Sequence, residues 1–267
     1  MNIFEEVLKA QKERKNFALV TVIKAEGSAP RHGSARMLVF PGGEIKGTIG
    51  GGILEATVIR ESLDSLKTGR SKVVKYRLDK DKGGLPMVCG GEVELFIEVF
   101  RSKPQLVIAG AGHVGYWVSK IASTLDFEIT VVDDREEWAN RERFPEADRI
   151  MVVESFAEGI EKCNIDENSF VVIATRGHAH DRETLKAALS RNSRYIGMIG
   201  SRKKVIECFE QLKKEGVSQD LLDGVYAPVG LDLGAETPEE IAVSIMAEIL
   251  MVKNSATGMP LSRKEKS

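Results

Sequence analysis

The feature that most constrains this chain is a glycine-rich turn, Gly110-Ala-Gly-His-Val-Gly115, which directly follows the apolar run Gln105–Ala109. In such a turn the first glycine allows a tight reversal, the second lets a phosphate approach the backbone, and the third lets a helix lie close to the strand. Val114–Leu125 has helical spacing, so the turn precedes a helix start whose unpaired N–H groups favour a phosphate. The pattern predicts a Rossmann-type phosphate-binding turn, called the phosphate turn below.

An acidic pair follows the next predicted strand, Glu128–Val132. Asp133 lies 23 residues beyond Gly110, near the spacing at which Rossmann domains place a ribose-binding carboxylate. Such a carboxylate repels a 2′-phosphate, whereas the neighbouring Arg135 attracts one. A domain that keeps the turn and binds another ligand, or none, is the alternative. The candidate ligand-binding residues here are Gly110, Gly112, His113, Gly115, Asp133 and Asp134.

The remainder of this region alternates predicted strands and helices, which is typical of a parallel, doubly wound sheet. The final helix is predicted to open at Thr237, with Pro238 at its first position and Glu240 completing a capping box. We expect strands at 150–153, 170–174 and 195–199, and helices at 184–191 and 203–215.

The first hundred residues mix strands and helices without regular alternation, which indicates an α+β domain. We expect helices at 2–14 and 53–68, and strands at 17–24, 35–40, 73–78 and 92–100. The fold class is therefore α/β, with a C-terminal Rossmann-like doubly wound parallel sheet preceded by a smaller α+β domain. The predicted boundaries are 1–100 for the α+β domain, 101–104 for a linker, 105–253 for the Rossmann-like domain and 254–267 for a tail.

Two further segments of the Rossmann-like region follow predicted strands, at the sheet edge where such folds bind ligands. Gly200-Ser201-Arg202 precedes a helix and begins a run of three cations, which suggests an anion site; a solvated basic patch is the alternative. The segment 175–181 carries His178, His180 and Asp181, which are candidates for proton transfer or substrate positioning. The alternative is a loop in which Asp181 has turn and capping roles. The spacing of these residues is too sparse to predict a metal site.

Three motifs of the α+β domain are candidates for chemistry. The glycine triplet Gly50-Gly51-Gly52 precedes a helix and is costly to order unless a backbone must be approached closely. Glu55 falls in the first turn of that helix, where it is either a cap or an acid–base group. Cys89, in a glycine-containing loop, is the candidate reactive thiol, whereas the patterns around Cys163 and Cys208 favour packing.

Charge and cysteine content limit the classes of function. The 38 Lys and Arg residues nearly balance 40 Asp and Glu residues, giving a net charge of −2 and no reason to expect nucleic acid or an anionic membrane as a partner. The three widely spaced cysteines form no disulfide framework or zinc motif, and no apolar run reaches the ~20 residues of a membrane span. These features predict a cytoplasmic location.

The chain resembles the xanthine dehydrogenase accessory (maturation) factors, which are also grouped with the carbon monoxide dehydrogenase accessory proteins. Several motifs carry the resemblance in one order over almost the whole length. They are Gly-Ser-Ala-Pro-Arg (27–31), Gly-Thr-Ile-Gly-Gly-Gly-x-Leu-Glu (47–55), Cys-Gly-Gly (89–91), Gly-Ala-Gly-His-Val (110–114), Val-Asp-Asp-Arg (132–135), Arg-Phe-Pro (143–145), Gly-Met-Ile-Gly-Ser-Arg-x-Lys (197–204) and the segment 227–242.

The resemblance implies a cofactor-binding chaperone rather than a turnover enzyme. Members of this family bind the molybdenum cofactor, as molybdopterin or its dinucleotide form, while sulfur from a cysteine desulfurase replaces an oxo ligand, and then deliver it to a xanthine dehydrogenase-type molybdenum hydroxylase. Members often form dimers. Cys89 becomes a candidate for cofactor contact or sulfur handling. An NAD(P)-dependent oxidoreductase and a nucleotide-responsive regulatory or scaffold protein are the alternatives.

Overall fold

The computed structural model describes residues 2–27, 35–77 and 91–263. By its internal contacts the chain divides into two compact units, Met1–Ser102 and Lys103–Ser267, called unit 1 and unit 2 below. No helix within the described ranges combines the length and apolar character needed to cross a membrane.

Unit 1 contains a five-stranded sheet in which all neighbouring strands are antiparallel, in the order β3-β2-β1-β5-β4. Its elements are α1 (Ile3–Lys12), β1 (Phe17–Gly27), β2 (Arg36–Val39), β3 (Ile45–Gly47), α2 (Gly52–Thr68), β4 (Lys72–Arg77) and β5 (Gly91–Phe100).

Alternation along the strands of unit 1 divides its core between two faces. Val93, Leu95 and Ile97 of β5 are buried with Leu54 and Val58 of α2 on one face. A smaller set of buried apolar side chains from α1, β1 and β2 forms a second cluster on the other face. Burying each large aliphatic side chain contributes roughly 1.5–3 kcal/mol, so α2 is held by its apolar stripe.

Unit 2 contains a five-stranded, fully parallel sheet in the order β10-β9-β6-β7-β8. Its elements are β6 (Gln105–Ala109), α3 (His113–Ser123), β7 (Glu128–Asp133), β8 (Arg149–Val152), α4 (Phe156–Glu161), β9 (Ser169–Ile173), α5 (His178–Leu189), β10 (Tyr195–Met198), α6 (Arg202–Lys214), α7 (Gln219–Asp223) and α8 (Pro238–Lys253).

The sheet of unit 2 is covered on both faces, because its central strands are apolar on both sides. Leu106 and Ile108 lie in a core cluster with residues of α3 and α8. Val107 and Ala109 point the other way, into a cluster with residues of α4, α5 and α6. This arrangement, with β6 at the centre of the order, confirms the predicted doubly wound Rossmann-like sheet after an α+β unit.

Helix starts show where sequence patterns succeeded and failed. The capping box at Thr237 and Glu240 is present, with Pro238 as the first residue of α8, as predicted. The predicted start of α5 at Thr184 is wrong: the helix begins at His178, so the segment predicted as a loop forms its first turn. The short helices α4 and α7 were not predicted.

Candidate functional site

The phosphate turn leaves the sheet at the carboxyl end of β6, between the ends of β9 and β7. Gly110 has a φ of 120°, and a Cβ there would collide with the carbonyl group of Ala174 just after β9. A Cβ at Gly115 would collide with the carbonyl oxygen of Gly110. Both glycines are therefore required by close backbone approach, the reason the sequence motif suggests.

Gly112, in contrast, has open space beside it. It is the N-cap of α3, has extended backbone angles that any residue adopts, and a Cβ there would meet no atom within 4 Å. No side chain caps the helix at this position. The first N–H groups of α3 thus remain available to an anion, and the helix dipole favours negative charge there.

Asp133 holds the phosphate turn from the neighbouring strand. Its buried carboxylate accepts hydrogen bonds from the backbone N–H of Ala111 at 2.7 Å and from Nε of Arg135 at 2.8 Å. Burial opposes its ionisation, but the hydrogen bonds from Arg135 and Ala111 outweigh burial and lower the pKa of Asp133. Both oxygens of Asp133 are therefore engaged within the chain; a ribose contact of the acidic pair stays a prediction.

Asp134 is placed differently. Its Oδ2 accepts a hydrogen bond from Nη2 of Arg176 at 2.5 Å. Its Oδ1 is buried and accepts no hydrogen bond, with Nε of Arg135 3.6 Å away. Of the acidic pair, Asp134 is therefore the residue with an unused acceptor.

His113 and a neighbouring aromatic group border the turn. The exposed ring of His113 meets the ring of Trp138 edge-on, with the centroids 5.5 Å apart. The guanidinium carbons of Arg135 and Arg143 lie 4.7 and 4.4 Å from the Trp138 centroid. Sequence reasoning gave neither residue a role: Trp138 belongs to no motif, and Arg143 entered only as part of the Arg-Phe-Pro motif of the family.

The strand ends on the other side of β6 carry polar groups. Ser201 is the N-cap of α6, and its Oγ accepts a hydrogen bond from the N–H of Lys204 at 3.4 Å; Arg202 is exposed. Thr175 Oγ1 donates to Asp181 at 2.5 Å, and burial raises the pKa of that carboxyl group. The predicted anion site at Gly200–Arg202 stays a prediction.

His178, the first residue of α5, is exposed and lines a cavity of about 420 Å³ between α5 and α6. The other lining residues are Ala179, Arg182, Lys204, Glu207, Cys208 and Gln211. Burial raises the pKa of the Cys208 thiol to about 11, so the thiol is protonated and unreactive at neutral pH. In the described ranges no group of three or more His, Cys, Asp or Glu side chains is placed to bind a metal ion.

In unit 1 the glycine triplet forms the start of α2. Gly50, Gly51 and Gly52 have φ of 130°, 80° and 69°, conformations that disfavour any residue with a Cβ. Glu55 Oε2 accepts hydrogen bonds from Thr48 Oγ1 at 2.5 Å and from the N–H groups of residues 49 and 51, each at 3.2 Å. Glu55 thus holds the loop, as its capping alternative predicts; an acid–base role stays a prediction.

Cys89 lies outside the described residues, as does most of the Gly-Ser-Ala-Pro-Arg motif. Its role therefore stays a prediction from the sequence pattern and the resemblance.

These features define the class: unit 2 is a Rossmann-type domain whose phosphate turn and α3 start suit a phosphorylated ligand. Residues 106–249 match the XdhC Rossmann domain, and residues 10–77 match the XdhC and CoxI family. The chain belongs to the XdhC family.

Curated relatives agree with this assignment. The chain is 40% identical over 259 residues to the uncharacterised protein YqeB of Escherichia coli (strain K12), covering 97% of this chain and 47% of the relative. It is 31% identical over 166 residues to a probable xanthine dehydrogenase component of Bacillus subtilis (strain 168), covering 60% and 46%. It is 24% identical over 269 residues to the molybdenum cofactor insertion chaperone PaoD of Escherichia coli (strain K12), covering 90% and 84%.

The chain spans about half the length of the first two of these relatives. Among solved structures, one described as a xanthine dehydrogenase from Bacillus halodurans has a TM-score of 0.51 and 23% identity, covering 99% of this chain and 98% of that one. This likeness extends over both units and supports the fold.

Proposed function

We propose that this chain is a maturation factor that binds the molybdenum cofactor as cargo and delivers it to a xanthine dehydrogenase-type molybdenum hydroxylase. Membership of the XdhC family and the similarity to a cofactor insertion chaperone support the class of function. The observation that carries the proposal is the uncapped start of α3 beside the open space at Gly112. A phosphate of the cofactor, in its molybdopterin or dinucleotide form, would be held there.

The residues present fit a phosphorylated group by their chemistry. The phosphate turn offers backbone donors and no bulky side chain at Gly112. The charge of the Asp133 carboxylate is balanced by Arg135, and the carboxylate accepts a hydrogen bond from the turn, so it does not oppose an anion there. Oδ2 of Asp134, which accepts a hydrogen bond from the half-exposed Arg176, is the oxygen that a ligand hydroxyl would use. The glycine triplet, Cys89 and Arg202 remain proposed contacts on the strength of the family motifs, and His178 remains one because of its position at the carboxyl edge of the sheet.

Sulfuration of the cargo is the finer part of the proposal. The sulfur would come from a cysteine desulfurase partner, and the contribution of this chain would be to bind the cofactor while the exchange takes place. Cys163 and Cys208 do not suit a sulfur-handling role, because burial raises the pKa of both thiols to about 11. Cys89 is the remaining candidate, and a homodimer is the proposed assembly.

The direct test compares ligands. Purified protein is mixed with molybdenum cofactor and, separately, with NAD(H) and NADP(H), and binding is followed by calorimetry and by the molybdenum and pterin that co-elute on gel filtration. We expect tight binding of the cofactor. Tight nicotinamide binding without cofactor binding would instead support an oxidoreductase, the second candidate that the Rossmann turn allows.

Cys89→Ala tests the thiol role separately, with Cys208→Ala as its matched control. We expect Cys89→Ala to lose activation of an apo-hydroxylase in the presence of the desulfurase, and Cys208→Ala to retain it. Unchanged cofactor retention and activation in Cys89→Ala would remove the thiol from the proposal.

A further inference from the structure

The ion pair between Arg176 and Asp134 spans the phosphate turn. Arg176 follows β9 and Asp134 follows β7, and β6 lies between these two strands. Adjacent strands are roughly 4.8 Å apart, so the pair bridges about 10 Å across the end of β6. Gly110 begins the turn at that strand end, so the ion pair spans the end of the strand from which the turn starts.

The two partners are unequally satisfied. The Arg176 side chain is 51% exposed, and in the described part of the chain Asp134 is the one hydrogen-bond acceptor of its guanidinium group. The Asp134 side chain is only 13% exposed, and its buried Oδ1 accepts no hydrogen bond. A buried, unsatisfied carboxylate oxygen is unfavourable, so this pair has not reached its best hydrogen-bonding arrangement.

Resting on the proposed function, we propose that Arg176 binds the phosphate of the ligand and that Asp134 is its counter-ion in the absence of ligand. The phosphate replaces Asp134 as the partner of Arg176, and Asp134 then accepts hydrogen bonds from the hydroxyl groups of a ribose. The ligand class is a nucleoside diphosphate group with a free 2′,3′-diol, as in a dinucleotide form of the cofactor.

The diol follows from charge and hydrogen bonding. A phosphate that takes Arg176 away leaves the Asp134 carboxylate without the donor on Oδ2 and close to a second negative charge. A ligand that supplies hydroxyl donors restores those hydrogen bonds, whereas a ligand with phosphate alone does not. The pair therefore selects for phosphate and diol together, and against a phosphate on the ribose itself.

The test uses the full chain with ADP, CDP and GDP, their 2′-deoxy counterparts and inorganic pyrophosphate as probes in calorimetry. In the wild-type chain we expect at least one nucleoside diphosphate to bind at least about 10-fold more tightly than its deoxy counterpart and than pyrophosphate. A 10-fold difference is the change in affinity expected when one charge-assisted hydrogen bond is lost. Arg176→Gln should weaken every probe by at least about 10-fold, and Arg176→Lys should recover part of the loss.

Asp134→Asn gives the opposite signature. Removing the counter-ion frees Arg176, so pyrophosphate should bind several-fold more tightly, while discrimination between ribose and deoxyribose should fall. Lys162→Gln is the matched control, because Lys162 also forms an ion pair in unit 2, with Glu158 at 2.6 Å, at the end of α4 and away from the turn. It should change none of these affinities.

A purely structural ion pair would lower stability in both variants and leave the ratios of probe affinities unchanged, which would overturn the exchange. Absence of wild-type binding to every nucleoside diphosphate and to pyrophosphate would overturn it as well. These results are distinguishable from failure of the proposed function. The exchange could fail with molybdenum cofactor still bound, or hold with these probes while the cofactor does not bind.

Discussion

Two glycine-rich helix starts, one in each unit, are held by a carboxylate in different ways. In unit 2, Asp133 reaches the phosphate turn from a different strand, is buried, and has Arg135 as its own cation. In unit 1, Glu55 belongs to the helix that it caps and is only partly buried. The long-range carboxylate ties its turn to the sheet, so the phosphate turn is preorganised by tertiary structure, whereas the glycine triplet is organised locally.

The glycines differ for the same reason. Gly110 is required by both a positive φ and a collision with the neighbouring strand, whereas Gly51 has a positive φ of 80° and no atom within 4 Å of a Cβ. A turn packed against a sheet cannot shift to accommodate a Cβ, whereas a loop in open space can. The predictions below change residues at one helix start or the other and compare the effects.

The largest expected effect is that of Gly110→Ala. We expect the free energy of unfolding of unit 2 to fall by about 3 kcal/mol or more, since left-handed strain and overpacking act together. Gly51→Ala should lower the stability of unit 1 by only about 1–2 kcal/mol. Both tryptophans, Trp117 and Trp138, lie in unit 2, so urea unfolding followed by tryptophan fluorescence reports on that unit, and amide hydrogen exchange along α2 reports on unit 1.

If Gly110→Ala were insoluble and Gly51→Ala folded, the result would still support a larger loss of stability at Gly110. Equal losses in the two variants would contradict the distinction between a sheet-bound turn and a local loop.

Asp133→Asn and Glu55→Gln compare the two carboxylates directly. The first leaves Arg135 without its buried partner and should cost about 3 kcal/mol, the range seen when a buried ion pair is broken. The second keeps a hydrogen-bond acceptor in a partly exposed place and should cost about 1 kcal/mol. The same two measurements of stability apply, and a larger loss in Glu55→Gln would reverse the comparison.

The low pKa of Asp133 also predicts a pH dependence. A carboxyl group whose pKa is lower in the folded state than its ordinary value of 3.8 stabilises the fold while it is ionised. That stabilisation is complete at neutral pH and is lost as the pH falls below about 4 through the folded-state pKa. The stability difference between wild type and Asp133→Asn, measured by tryptophan fluorescence from pH 7 to pH 2.5, should therefore shrink at the acidic end. A difference that is constant with pH would contradict an ionised, paired Asp133.

The spacing of glycines and the strand–helix alternation were sufficient to predict the sheet of unit 2 and the phosphate turn, because turns of this type place the same steric demands on their first and third glycines. The role of Asp133 could not be predicted, since a carboxylate at that spacing bonds either a ribose or the turn itself. The choice depends on the backbone N–H of Ala111 and the side chain of Arg135, which only the folded chain brings together.

Arg176 was missed for a related reason. It follows a predicted strand, and that position at the carboxyl edge of the sheet was the available signal. The prediction for this segment centred on the histidines beside it, because histidine is a common residue in proton transfer and metal binding. Its partner Asp134 lies 42 residues away in sequence, and no spacing rule connects them.

A smaller effect is expected from Gly112→Ser. Serine is a better N-cap than glycine by a few tenths of a kcal/mol, and the backbone of Gly112 accommodates it without strain. Unit 2 should become slightly more stable while phosphate binding weakens, because the new hydroxyl occupies an N–H group that the ligand would use. A rise in both stability and affinity would argue against an anion at the start of α3.

The most direct measurement is retention of molybdenum cofactor by Gly112→Val, with Gly42→Val as control. A Cβ at either position would meet no atom within 4 Å, so both variants should fold, but only Gly112 lies at the phosphate turn. We expect wild type and Gly42→Val to co-elute with molybdenum and pterin. Gly112→Val should keep its tryptophan fluorescence, lose only about 1 kcal/mol of stability because valine is a poorer N-cap than glycine, and lose the cofactor by at least about 10-fold. Undiminished cofactor retention by a folded Gly112→Val would contradict the assignment of the phosphate turn as the cofactor site.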